Sequence, residues 1–210
     1  MTSEVLWTPS DRRIAKSEIV RFGTFLGKRA GRTVAGGDDL GALALDDLER
    51  FWSALWDYMG VIGDKGQEPF LAGDDMIGTR FFPDARLNFA ENLLRLGERS
   101  DAGATALVFR GEDKVRLRWT WGDLETHVSR LQQALTHAGV GPGDRVAGLL
   151  PNRPEAVAAM LATVSLGAVW CSASPDFGAR AVLDRLSQIE PKVLFATDGY
   201  WYAGKRHEIG

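Results

Sequence analysis

The chain has 210 residues, a formal net charge of −3, 45% hydrophobic residues and 25% charged residues. This composition excludes a disordered segment, and the lack of a basic excess argues against nucleic acid or an anionic membrane as partner. A single cysteine, Cys171, excludes an intrachain disulfide and fits a reducing, cytoplasmic setting.

The segment from Met1 to Arg13 lacks an apolar h-region, so no signal peptide is expected. Ser10 is placed to cap a helix running to about Gly31, with Ala15, Ile19, Phe22 and Leu26 on one face. The Gly- and Asp-rich stretch from Gly31 to Gly41 reads as a loop. Asp46 is placed to cap a second helix with the stripe Leu48, Phe51, Trp52, Leu55 and Met59, which Gly60 ends. Val61 to Asp84, with Gly63, Gly66, Pro69, Gly73, Gly78 and Pro83, reads as a long irregular stretch. Asn88 to Leu96 reads as a short helix.

The pattern changes at Thr105. Ala106–Phe109 and Val115–Trp119 read as a hairpin, and Thr120 to Asp123 has the form of a capping box opening a helix with Leu124, Val128, Leu131, Leu135 and Ala138 on one face. Gly139 to Gly143 is a turn and Val146–Leu150 a strand. Pro154 opens a helix over 155–166, a strand follows over 168–172, then a helix over 178–189 and a strand over Val193–Ala196. The charge-free run between Glu155 and Asp176 is long enough to span a bilayer. However, Val157, Met160, Leu161 and Val164 form one face of a helix and Gly167 stops it, so this is a buried helix–turn–strand. Cys171, inside that strand, is a packing residue.

Short apolar strands alternating with helices specify an α/β fold: a helical N-terminal extension over 1–95, then over 96–210 the first part of a doubly wound, mostly parallel sheet. Ligands of such sheets bind beyond the carboxyl ends of the strands, which selects Pro151–Arg153, Ser172–Phe177 and Asp198–Arg206. The chain stops about a dozen residues past the last strand, leaving an unpaired edge, so the remainder of the same polypeptide is an expected partner.

Two glycine patterns resemble nucleotide motifs. Gly139-x-Gly141-x-Gly143 follows a helix and precedes a strand, the reverse of a dinucleotide loop, and reads as turn chemistry. Gly199 to Lys205 has the spacing of a phosphate loop. However, Arg206 stands where a Mg²⁺-binding hydroxyl belongs, and Tyr200, Trp201 and Tyr202 are too bulky to wrap phosphate. What remains is a cationic cluster, Lys205, Arg206 and His207, beside aromatics, either an anion site or a solvated loop. Asp176 reads as a helix cap. His127 and His137 do not share a face at ligand spacing, so no metal site is expected, and no catalytic constellation is present.

Several segments resemble a known family. Trp119–Glu125, Gly139–Asn152 with Glu155, Met160–Ala162 and Leu166–Val169 are similar to the first core motifs of adenylate-forming enzymes. Phe51–Ser53, Phe82–Pro83 and Leu87–Leu94 resemble the extension of acetyl-CoA-synthetase-like ligases. Val61–Gly66, Cys171–Gly178, Gln188–Phe195 and Asp198–Tyr202 look most like its acetoacetate–CoA ligase branch. The resemblance implies a two-step reaction. A carboxylate, here acetoacetate, attacks ATP to give an acyl-adenylate and pyrophosphate, and CoA thiol then displaces AMP, with ATP, Mg²⁺ and CoA required. It places the phosphate loop, the nucleotide pocket and the catalytic lysine beyond residue 210, so this segment carries only part of a CoA site. The family's CoA-phosphate arginines match Tyr202 and Lys205, with Arg206 available to substitute for the charge lost at Tyr202. Its glycine pair and Phe near CoA match Pro175, Asp176 and Phe177. Another short-chain acid–CoA ligase, or a non-catalytic CoA- or partner-binding domain, remains an alternative.

Overall fold

In a computed structural model of the chain, residues 6–34, 36–68, 70–71, 73, 75, 77–95, 101–112 and 114–209 are described. The chain divides into two compact units, Met1–Leu87 and Asn88–Gly210.

The first unit opens with α1 (Asp11–Ala15) and α2 (Glu18–Ala30). The single helix expected up to Gly31 is broken, because the Ser17 hydroxyl donates to the Ile14 carbonyl at 2.7 Å, diverting it from the helical ladder. Ser10 occupies the N-cap position of α1 without a side-chain bond, and Gly31 ends α2 at φ 67°. Only Phe22 and Leu26 of the expected stripe are buried, while Ile19 is exposed. The expected loop up to Gly41 instead becomes α3 from Gly37 (Gly37–Asp46), with Asp38 and Asp39 in its first turn and Leu40 and Leu43 buried. The cap of α4 (Leu48–Met59) is Asp47 and not Asp46. Asp46 ends α3, and the Asp47 side chain accepts the Arg50 N–H at 2.9 Å. Gly60 terminates α4 at φ 57°, as its position predicts.

Phe22, Leu26, Leu40, Leu43 and Ala54 form this unit's core, with Phe51 edge-on to Phe22 at 5.5 Å. Met59, assigned to the apolar stripe, is exposed. Among its described residues, the irregular stretch carries two antiparallel ladders of two residues each. These are β1 (Gly63–Asp64) with β4 (Arg86–Leu87) and β2 (Phe70–Leu71) with β3 (Arg80–Phe81).

The second unit begins with α5 (Phe89–Leu94), capped by Asn88, whose side chain accepts the Glu91 N–H at 3.1 Å. The Asn88 amide donates at 3.1 Å to the carbonyls of Val164 and Ser165, and Ala90 and Leu94 enter this unit's core. Leu96, expected to end the helix, lies outside the described residues, as does the segment just beyond the expected boundary at 95. The antiparallel hairpin β5 (Thr105–Gly111) and β6 (Val115–Thr120) leads into α6 (Trp121–His137) through a complete capping box between Thr120 and Asp123. Then follow β7 (Arg145–Leu149), α7 (Pro154–Ser165), β8 (Val169–Ala173), α8 (Ala179–Leu186) and β9 (Val193–Ala196).

The three strands are parallel in the order β8-β7-β9. Along β7, Val146 and Ala147 are both fully buried. Val146 joins Leu124, Val128, Leu135 and Leu161 of α6 and α7, while Ala147 meets Val182 and Leu186 of α8. Adjacent residues of one strand thus face helices on opposite sides, which is the doubly wound arrangement the alternating pattern predicted. The expected buried strand around Cys171 forms, but as an edge: Val169 is exposed and Cys171 half-buried. The glycine run before β7 is a turn, with Gly139 at φ 75° and Gly143 at φ 80°. Among the described residues, no helix is long and apolar enough to cross a membrane.

Leu161, with no exposed surface, anchors the larger core. Leu161→Ala is expected to cost about 2–5 kcal/mol by leaving a cavity. A urea titration should show a lower midpoint at unchanged slope, and an unchanged midpoint would refute the placement.

Candidate functional site

The carboxyl ends of β7, β8 and β9 meet a second hairpin, β10 (Gly199–Tyr202) and β11 (Lys205–Glu208). The sequence reading took Asp198–Arg206 as a loop. Tyr200, Trp201 and Tyr202 favour extended backbone, and Ala203-Gly204 closes a two-residue turn with φ of 50° and 73°. Ala203 in the left-handed region costs roughly 1–2 kcal/mol. With Gly199 inside a strand, no backbone cradle for phosphate forms at this glycine pattern.

Two clefts flank the hairpin. One, of about 340 Å³, is lined among others by Pro151, Asn152, Pro175, Asp176, Tyr202 and Trp201, which borders both clefts. It brings together the three segments selected from sequence. The other, of about 250 Å³, is lined among others by Phe109, Arg153, Asp198, Trp201 and Arg206.

The register of the hairpin separates Lys205 from Arg206. Lys205 pairs with Tyr202 and Arg206 with Trp201, so the two cations leave opposite faces. The ring of His207 stacks on Tyr200 at 5.2 Å and lies 6.3 Å from Tyr202, which fixes the face that Lys205 shares. Arg206 lines the smaller cleft and meets Glu208 at 3.4 Å. Among the described residues, Lys205 has no ion pair. Adjacent in sequence, the two residues leave the hairpin on opposite faces, Arg206 beside Trp201 and Lys205 beside Tyr202.

Asp176 lines the larger cleft but does not cap α8. Gly178 holds the N-cap position there, and no side chain bonds to it. Phe177, half-exposed beside it, carries the Arg185 guanidinium 4.3 Å from its ring centre. Sequence reasoning missed Arg185, which reaches back from the last turn of α8 onto the loop that precedes the helix.

Arg153, part of a selected loop but not singled out, donates to Glu155 through Nε at 3.1 Å and a terminal nitrogen at 2.9 Å and stands 5.8 Å from the Phe109 ring centre. This fork holds the Glu155 carboxyl below the usual carboxylate range, and Glu155, with a contribution from Asp198, holds Arg153 in its charged form. His127 lies flat on Trp119 at 4.1 Å. Among the described residues, no group of three or more His, Cys, Asp or Glu could hold a metal ion.

Residues 96–208 match the family model for AMP-binding enzymes. The chain belongs to the AMP-binding enzyme family. It is 50% identical over 204 residues to acetoacetyl-coenzyme A synthetase from Rhizobium meliloti, covering 97% of this chain and 31% of that protein. It is 38% identical over 211 residues to acetoacetyl-CoA synthetase from Danio rerio, covering 99% and 31%. Its fold matches acetoacetyl-CoA synthetase from Streptomyces lividans with a TM-score of 0.85 at 42% identity, covering 98% of this chain and 32% of that one. The family resemblance read from Trp119–Glu125 and Gly139–Asn152 is borne out, as is the fold class. The chain spans about a third of the length of these relatives.

A depressed carboxyl stabilises the fold above its ordinary titration range, and that stability is lost as pH falls through the lowered value. Arg153→Ala should therefore show a stability deficit at pH 7 that narrows as Glu155 protonates. Urea denaturation across acid pH tests this. A deficit independent of pH would remove the Arg153–Glu155 coupling.

Proposed function

We propose that the chain serves an acetoacetate–CoA ligase, as the part that forms one wall of the CoA site. In this reading acetoacetate attacks ATP, with Mg²⁺ on the phosphates, and CoA thiol displaces AMP from the acyl-adenylate. ATP chemistry is assigned to the portion of the relatives' length that this chain does not span. The first unit is read as the extension of acetyl-CoA-synthetase-like ligases, with 1–95 as its span and 96–210 as the first part of the AMP-binding domain. A cytoplasmic location fits the single cysteine.

The observation that carries the reading is the larger cleft at the carboxyl ends of β7 and β8, lined by Tyr202, the cross-strand partner of Lys205, in a chain 50% identical to an acetoacetyl-coenzyme A synthetase. A parallel sheet binds its ligand where crossovers diverge to opposite faces. Lys205 is proposed to take the CoA 3′-phosphate as a mobile point charge. Phe177 under Arg185, next in sequence to Asp176, offers a flat, cationic surface beside the cleft, and Asp176 in its lining an acceptor for the adenine amino group. Arg206, on the opposite face, is proposed to flank the smaller cleft and to contribute little to CoA.

Calorimetry with CoA and with dephospho-CoA, which lacks the 3′-phosphate, separates these roles. The chain should bind CoA more tightly, and Lys205→Ala should erase the difference, weakening CoA about ten-fold or 1.4 kcal/mol. Arg206→Ala should change CoA affinity less than about two-fold, as expected of a charge outside the contact. Equal affinity of Lys205→Ala and wild type for CoA would overturn the assignment.

A further inference from the structure

Among the described residues, the hairpin that carries Lys205 is a separate two-stranded sheet, bonded to no third strand. Two strands alone are marginally stable in water. Its turn, with Ala203 in the left-handed region, works against it further. In a two-residue turn the N–H of the second turn residue has no partner inside the hairpin. Here that group is the Gly204 N–H. It donates to the Glu112 carboxylate at 2.8 Å, from the turn that closes β5 and β6.

Several features aim Glu112 at this contact. Glu112 itself lies at φ 52°, and the turn is closed by the Lys114 N–H donating to the Gly111 carbonyl at 3.1 Å. Lys114, from the same turn, places its ammonium 5.7 Å from the Trp201 ring centre, on the hairpin face opposite Lys205. The hairpin is therefore held from one side at its tip and along one strand, and its other face is left to the larger cleft. Lys205 is the residue directly after Gly204, so fixing the Gly204 amide fixes the start of β11.

We propose that Glu112 is a positioning residue for the anion-binding hairpin: it locks the tip of β10–β11 and so sets where the Lys205 ammonium stands. This rests on the CoA reading above. The role belongs to the acceptor oxygen and not to the charge, since a carboxylate near a phosphate site is otherwise unfavourable. Glu112 touches neither CoA nor Lys205's ammonium in this scheme. It acts through the backbone.

The test uses Glu112→Ala, Glu112→Gln and Lys205→Ala in the 210-residue chain, with CoA titrated by calorimetry and Gly204 amide exchange followed by NMR. Glu112→Ala should weaken CoA about five-fold and speed Gly204 exchange, with the thermal midpoint of the chain nearly unchanged. Glu112→Gln keeps an acceptor oxygen and should retain both affinity and protection. Should Glu112→Ala bind CoA as wild type does while Lys205→Ala is weakened, the positioning role falls and the CoA reading stands. Loss of affinity in Glu112→Gln equal to that in Glu112→Ala would also overturn it, by pointing to charge. A Lys205→Ala variant with normal affinity would overturn the CoA reading, and the role of Glu112 with it.

Discussion

The architecture of the second unit depends on β7 being buried on both faces. Val146 and Ala147 have no exposed surface, and each contacts a different helical layer. A strand buried on both sides has no polar face to spare, so helices must cover it front and back. That requirement sends α7 to one face and α8 to the other, and the two following loops part company beyond Leu149. Gly148 makes the arrangement possible on the α6/α7 side. A Cβ there would stand 2.6 Å from the Trp170 ring, which crosses β7 from its neighbour strand. The cleft beyond β7 is a by-product of how the core is filled.

The walls of that cleft come from elements with different security. The loops after β7 and β8 are short and rooted in the sheet. Among the described residues, the hairpin after β9 is not part of the sheet, and it is steadied by side chains from the β5–β6 turn. A cation on such an element is placed by contacts around it as much as by its own strand. Arg153 shows the opposite case: its fork with Glu155 and its contact with Phe109 fix a guanidinium beside the sheet before any ligand arrives.

Legibility in the sequence followed the range of the forces involved. The capping box at Thr120 and Asp123, Pro154 at a helix start and the strand–helix alternation through Ala196 depend on neighbours within a few residues, and all three appear in the structure. The first unit was harder. Ser17 breaks a helix whose apolar spacing continues through it, and α3 forms in a Gly- and Asp-rich segment because Leu40 and Leu43 find a core. Cys171 and Val169 read as buried because they are apolar, but burial depends on a neighbouring strand, and β8 is at the edge of the described sheet. At the site, strand order selected three segments that line one cleft, but the third, read as a loop, is the hairpin β10–β11. The partner of Gly204, Glu112, comes from a distant segment, and that of Phe177, Arg185, from the far end of the next helix, so neither shows as a local motif.

The two-residue period of the hairpin makes it a partition with a different cation on each side. The allocation of those cations is set by the turn alone. A one-residue slip in the pairing, from an insertion or deletion at Ala203-Gly204, would pass Lys205 to the Trp201 side and Arg206 to the Tyr202 side. The strands would keep their composition and net charge while the two faces exchanged a compact ammonium for a planar fork. In relatives, the length of this turn would then say more about which anion each cleft accepts than the count of basic residues around it.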